Sequence, residues 1–269
     1  MADINTILIP IKGPDLFESL LPPAIRAANK YEAKVILLHV WETFDSNPSS
    51  ERIEDRQHML DEAEEILEKA HCKTEILIKK KHKYIPVIKE VVQENDVNLI
   101  LMGNHGNKTA IFNNEIPHRL QKMHCNILAS RMRVECDFEK IAILADDLNV
   151  LPSMLEHATF LTSSDQSVFH IIFDFLEKNV NEDLDFIKAQ VETFKQNNSH
   201  FKGEIKYTRL KALPGDHTQF FSSNDKKTCI LIRYQGNWVE QLLTGRINNP
   251  DMIAQSTAYP TYLFKPASL

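Results

Sequence analysis

Four cysteines stand in 269 residues, Cys72, Cys125, Cys136 and Cys229, far apart and with no C-x-x-C spacing. Such a pattern makes no disulfide framework, and a reducing cytoplasm is the setting it fits. No apolar run approaches the ~18 residues of a membrane helix, and Met1-Ala2-Asp3-Ile4-Asn5 does not read as a signal peptide. Charge of one sign is also lacking. Lys and Arg total 31 against 37 Asp and Glu, and the net −6 gives no general drive toward nucleic acid or anionic membrane. Neither G-x-S-x-G nor a recognisable Ser, His and acid order occurs, which removes the common hydrolytic arrangements. The spacing of His105, His118 and His124 fits no metal motif, so a structural or solvent role is expected of them, as of His39, rather than a metal site.

What is present is ordinary in amount and informative in order. The hydrophobic share of 43% is that of a globular protein, and the length suits one large domain or two of usual size. Apolar runs at Thr6–Ile11, Lys34–Trp41 and Thr74–Ile78 read as strands. Between them lie helical patterns: Phe17, Leu20 and Ala24, with Pro22-Pro23 expected to bend or divide the helix, then Met59, Ala63, Ile66 and Ala70, then Ile85, Ile88 and Val92. Strands alternating with amphipathic helices predict a parallel sheet with helices on both faces.

The stretch from Asp96 to Ser130 organises the first half. A strand, Leu99-Ile100-Leu101-Met102, turns at Gly103-Asn104-His105-Gly106; a polar loop leads to a helix with Ile116, Leu120 and Met123 on one face, then to a strand at Asn126–Ser130. Glycines at the end of a parallel strand let the backbone approach a ligand, and a helix start can hold a phosphate. This wording resembles the phosphate loop of the universal stress protein family, whose ATP-binding members carry G-x-x-G-x9-G-[ST]. Gly103 and Gly106 match the first two glycines, and Leu37-Leu38-His39-Val40 resembles the family's Leu-His-Val. The distal Gly-Ser does not appear; on one alignment Asn113-Asn114 stands in its place. The resemblance implies an α/β fold whose five parallel strands are ordered 3-2-1-4-5.

The pattern then begins again. Arg131–Glu139 reads as a linker and Lys140–Ala145 as a new first strand, followed by a helix at Met154–Leu161 and a strand at Val168–Phe173. Leu184, Ile187, Val191 and Phe194 mark a helix after a cap at Asn181, and Ile205–Leu210, Cys229–Ile232 and Thr261–Phe264 complete the strands. The repeat offset is 130 to 134 residues, which gives two tandem doubly wound domains, 1–133 and 134–269.

Neither half carries a whole ATP signature. Where ATP-binding members have an aspartate after the first strand, the first half has Lys12 and the second Asp146-Asp147; Arg233 stands where the second half needs its first glycine. Asn248-Asn249 repeats the Asn113-Asn114 pair before a helix, a position suited to capping. Lys79-Lys80-Lys81-His82-Lys83 reads as a protected sheet edge. Asp146-Asp147 with Lys265 invites comparison with response-regulator receivers, but Ile205–Leu210 holds no acid to accept a phosphoryl group. The expectation is therefore a cytoplasmic, non-enzymatic tandem universal stress protein that binds or scaffolds an unidentified protein partner, without nucleic acid or membrane. Residues 126–130 and 261–264 would pair the halves as an intrachain pseudo-dimer, and a further homodimer is compatible with this. The alternative is a nucleotide sensor binding ATP or AMP in the first half through Lys12, Val40, Gly103, Gly106, Asn113 and Asn114.

Overall fold

The structure, a computed structural model, describes residues 4–11, 14–42, 50–81, 84–104, 123–131, 137–145, 147–173, 180–209, 227–233 and 261–265. The chain divides into two compact units whose described parts lie before and after residues 132–136. In the first unit the elements run β1 (Thr6–Ile11), α1 (Pro14–Tyr31), β2 (Lys34–Glu42), α2 (Ser50–Lys69), β3 (Lys73–Lys81), α3 (Tyr84–Glu94), β4 (Leu99–Asn104) and β5 (Asn126–Arg131). Its strands pair in parallel in the order β3-β2-β1-β4-β5. Ile7, Leu8 and Ile9, and likewise Val35 to Leu38 and Leu99 to Leu101, are consecutively buried. A strand buried at every successive residue is covered on both faces. Helices α1 and α2 connect β1 to β2 and β2 to β3, and α3 leads back past β2 and β1 to β4; the right-handed crossovers that parallel strands adopt then put helices on both faces.

Proline does not divide α1. Pro22 and Pro23 lie inside one continuous helix, so of the bend or division expected from the sequence the division does not occur. Their fixed φ is helical, and the lost backbone bonds are offset by burial of Leu20, Leu21, Ala24, Ala27 and Ala28. The helices of this unit end in a common way. Glu32, His71 and Asp96 take φ of 54°, 62° and 47° just beyond α1, α2 and α3. The N–H groups of Ala33, Cys72 and Val97 then donate to the carbonyls of Ala28, Leu67 and Val92, the bonding of a left-handed C-terminal cap. At the amino ends of the strands, Asn98 Oδ1 accepts from the N–H groups of Asn5 and Thr6 at 2.8 and 3.0 Å. Its carbonyl accepts from the Asn126 N–H at 2.8 Å, so one residue ties β1, β4 and β5 together.

The second unit repeats the plan with β6 (Lys140–Ala145), a 3-10 turn at Leu148–Val150, α4 (Leu151–Leu161), β7 (Val168–Phe173), α5 (Val180–Asn197), β8 (Glu204–Arg209), β9 (Thr228–Arg233) and β10 (Thr261–Phe264). Again the strands are parallel, in the order β8-β7-β6-β9-β10. The expected linker gives way before its end: Phe138 is buried, and Asp137 accepts bonds from Ser163 N–H and Oγ, so residues 137–139 belong to this unit. Helix α5 already includes Asn181, which places that residue inside the first turn. In the core, His157 Nδ1 lies 2.6 Å from the Tyr262 hydroxyl, packed against Phe160 and Phe264. No described helix is long and apolar enough to cross a membrane.

The repeat holds at the level of register. Ile7 pairs with Leu99, and Ile141 with Cys229, an offset of 134 residues on the first strand and 130 on the fourth. Outside the ladders, Lys34 N–H donates to the Asn5 carbonyl and Val168 N–H to the Glu139 carbonyl, both at 2.9 Å.

Candidate functional site

In a doubly wound sheet the ligand crevice opens beyond the carboxyl ends of the strands, where successive connections diverge. That point lies between β1 and β4 in the first unit, and between β6 and β9 in the second. In the first unit Gly103 sits at the end of β4, half-buried and in register with Ser130. Val40, buried near the end of β2, is in register with Lys79 of β3. The structure thus places Val40 and Gly103 at the same edge of the sheet, on the two strands flanking β1. Lys12, Gly106, Asn113 and Asn114 lie outside the described residues.

Two residues that the sequence did not join meet beside Val40. His39, 1% exposed, brings Nδ1 to 3.0 Å from the carbonyl of Ile11, the last residue of β1. A carbonyl only accepts, so Nδ1 carries the proton and neutral Nε2 presents a lone pair. Arg56 of α2 donates to it from Nη1 at 3.3 Å, and its guanidinium carbon lies 4.9 Å from the centre of the Trp41 ring. Burial pushes the His39 pKa below the ordinary value; the Ile11 bond works the other way, and the Arg56 charge adds to the lowering. His39 was expected to be structural, and nothing in the sequence singles out Arg56.

The second unit is built differently at the same place. The shared register puts Arg233 where Gly103 stands, and Asp146-Asp147 where Lys12-Gly13 follows β1. Arg233, 7% exposed, donates from Nη1 to Asp147 Oδ2 at 2.6 Å. The other Asp147 oxygen accepts from Asn149 N–H at 3.0 Å and from Asn149 Nδ2 at 3.1 Å, capping the 3-10 turn. The ion pair therefore spans the divergence point from the end of β9 to the loop after β6. Among the described residues no group of three or more His, Cys, Asp or Glu side chains could hold a metal ion. Lys79 reaches Glu90 at 3.5 Å and Glu94 at 3.4 Å on α3, so this lysine of the β3 edge is held within its own unit.

Together these features define a tandem of doubly wound parallel α/β domains, each with its crevice at the carboxyl edge. The sequence model of the Universal stress protein family matches residues 3–128, a stretch that begins just before β1 and ends within β5. Three solved structures share the fold along nearly the whole chain. A putative universal stress protein from Pseudomonas aeruginosa UCBPP-PA14 is 15% identical, with a TM-score of 0.60, covering 98% of this chain and 94% of its own. A universal stress protein from Archaeoglobus fulgidus DSM 4304 is 14% identical, with a TM-score of 0.59, covering 99% and 98%. A functionally unknown protein from Pseudomonas aeruginosa PAO1 is 16% identical, with a TM-score of 0.59, covering 98% and 94%. No curated protein matches the chain.

Proposed function

We propose that this protein is a tandem member of the universal stress protein family, a non-enzymatic, cytoplasmic binding or scaffolding protein that works through a protein partner and whose second unit takes no nucleotide. The observation that carries the reading is the Arg233–Asp147 pair at the divergence point of the second unit. A phosphate bound there would have to displace a part-buried, charge-assisted bond and approach a side chain where the first unit has a glycine. The Asp147 carboxylate already supplies the anion that the guanidinium needs.

A second reading is favoured by Gly103, which keeps the end of β4 free of a side chain in the first unit. On that reading the first unit senses ATP or AMP, with Val40 and Gly103 at the edge and Lys12, Gly106, Asn113 and Asn114 completing the site. Thermal unfolding with millimolar ATP, ADP and AMP, with and without magnesium, separates the two. A ligand at ~100 times its Kd stabilises the native state by about 2.7 kcal/mol. The scaffolding reading expects no shift in either unit's transition. A shift abolished by Gly106→Arg would replace it with the sensor reading. A shift abolished by changes at Arg233 instead would overturn the account of the second unit.

A further inference from the structure

The contact between His39 and Arg56 has a property that the proposed function does not use: it exists only while the imidazole is neutral. The Ile11 carbonyl holds the proton on Nδ1, so Nε2 is the acceptor that meets the Arg56 guanidinium. A second proton would turn Nε2 into a donor and set two cations against each other at 3.3 Å. The bond from Nδ1 to Ile11 would survive this; the link outward to α2 would not.

Burial along α2 shows what that link holds. Met59, Leu60, Ala63 and Leu67 are buried and seat the later turns of the helix. From Ile53 to His58 all side chains but Arg56 are exposed, Ile53 at 46%. Among the described side chains of residues 53–58, Arg56 is thus the one that reaches the sheet, clasped between His39 and the Trp41 ring, which meet edge-on with centroids 5.1 Å apart. We propose that His39 and Arg56 form a proton-operated clamp, which releases the leading turns of α2 from the end of β2 in mild acid.

Among the described residues, Arg56 is the charge acting on His39. On the neighbouring strands, Ile11 and Ile78 are its register partners and carry no charge. Lys80, in register with Trp41, is exposed, and Lys79 is held by Glu90 and Glu94 of α3. On α2, Glu54 and Asp55 are exposed and His58 faces Glu62. Arg26 and Lys30 lie in the second half of α1, which leads to the opposite end of β2. Burial and the Arg56 charge both hold the imidazole below its ordinary value, so release falls below about pH 6.5.

Hydrogen–deuterium exchange of the intact protein between pH 7.5 and 5.0, corrected for the intrinsic dependence of amide exchange, tests the clamp. Amides of residues 54–58 should exchange about ten-fold faster at pH 5.0, while those of residues 60–68 keep their protection. His39→Gln offers an amide donor to Ile11 and an acceptor to Arg56 without titrating, so its leading stretch should stay protected throughout. Arg56→Met should exchange rapidly over the same stretch at every pH. Unchanged protection of residues 54–58 in the wild type, the same acid response in His39→Gln, or a loss spread evenly over the first unit would each overturn the proposal. Should His39→Gln fail to fold, a pH-dependent loss persisting in Arg56→Met would overturn it equally.

Discussion

Replacing Asp147 by serine separates two roles that one carboxylate holds in the second unit. Its Oδ1 caps the 3-10 turn and its Oδ2 faces Arg233. Serine also caps, so the variant reports chiefly on the guanidinium losing this carboxylate. Breaking a fully buried pair from one side costs about 3–5 kcal/mol. Arg233 is enclosed, but the Asp147 side chain is 31% exposed, so water can enter the vacated space. That screening brings the expected cost to about 2–3 kcal/mol. Arg233→Met should behave differently, because it removes the charge from the enclosed side and leaves Asp147 hydrated and still capping. Its cost should be about 1 kcal/mol or less. The double variant should then resemble Arg233→Met alone, with a coupling of about 2 kcal/mol. Scanning calorimetry, read on the transition of the second unit, should show the midpoint of Asp147→Ser fall by about 5–10 °C. If Arg233→Met costs as much as Asp147→Ser, or if the two effects simply add, the pair does not work as described.

Three further outcomes follow from the backbone and from two histidines. His71→Gly should stabilise the first unit by about 1 kcal/mol in urea unfolding, since a φ of 62° strains any residue with a Cβ; destabilisation would contradict the cap. Gly203→Ala should cost about 1–3 kcal/mol, because its Cβ would fall 2.0 Å from the Ser167 carbonyl oxygen and force the backbone to move. A neutral result in the same assay would mean that this turn is free to shift. Burial lowers the pKa values of both His39 and His170, aided by the Arg56 and Lys206 charges respectively. The unfolded chain therefore takes up these protons first as pH falls: their contribution is intact above about pH 6.5 and is lost progressively below it. Urea midpoints should decline over that acid range, less steeply in His39→Gln; an equal slope in that variant would show that His39 is not part of the dependence.

The architecture was legible because it is written in short-range pattern. Thr6–Ile11 and Lys140–Ala145 emerge as strands with the bounds expected of them, since an apolar run between turns has little else to become in a buried parallel sheet. Even the register of the repeat could be read, and it assigned Arg233 to the place of Gly103 before any geometry was known. Other features were hidden by kind. Pro22-Pro23 signals a break, and only the burial of the surrounding helix face decides that it does not break. The ends of α1, α2 and α3 carry Glu32, His71 and Asp96 where the usual marker is glycine, so their left-handed caps left no trace in composition.

The contacts that distinguish the two crevices were hidden for a different reason. Arg56 reaches His39 across 17 residues and Arg233 reaches Asp147 across 86, so neither partnership has a local spacing to betray it. Each depends on the fold already being in place: α2 brings Arg56 to the end of β2, and the pairing of β9 with β6 brings Arg233 beside the loop that follows β6. The same architecture then gives opposite results. In the second unit the arginine extends from a strand end and meets a carboxylate across the divergence point, so the charge is neutralised where a ligand would have to compete for it. In the first unit the arginine arrives from a helix, meets a neutral imidazole and stacks on an indole, while the strand end opposite is a glycine. At the divergence point of the second unit the cation is already paired with a carboxylate, whereas Arg56 of the first unit is held by neutral groups beside the end of β2. Divergence between the halves therefore lies in which element supplies the cation and what satisfies it, and a common topology is compatible with both.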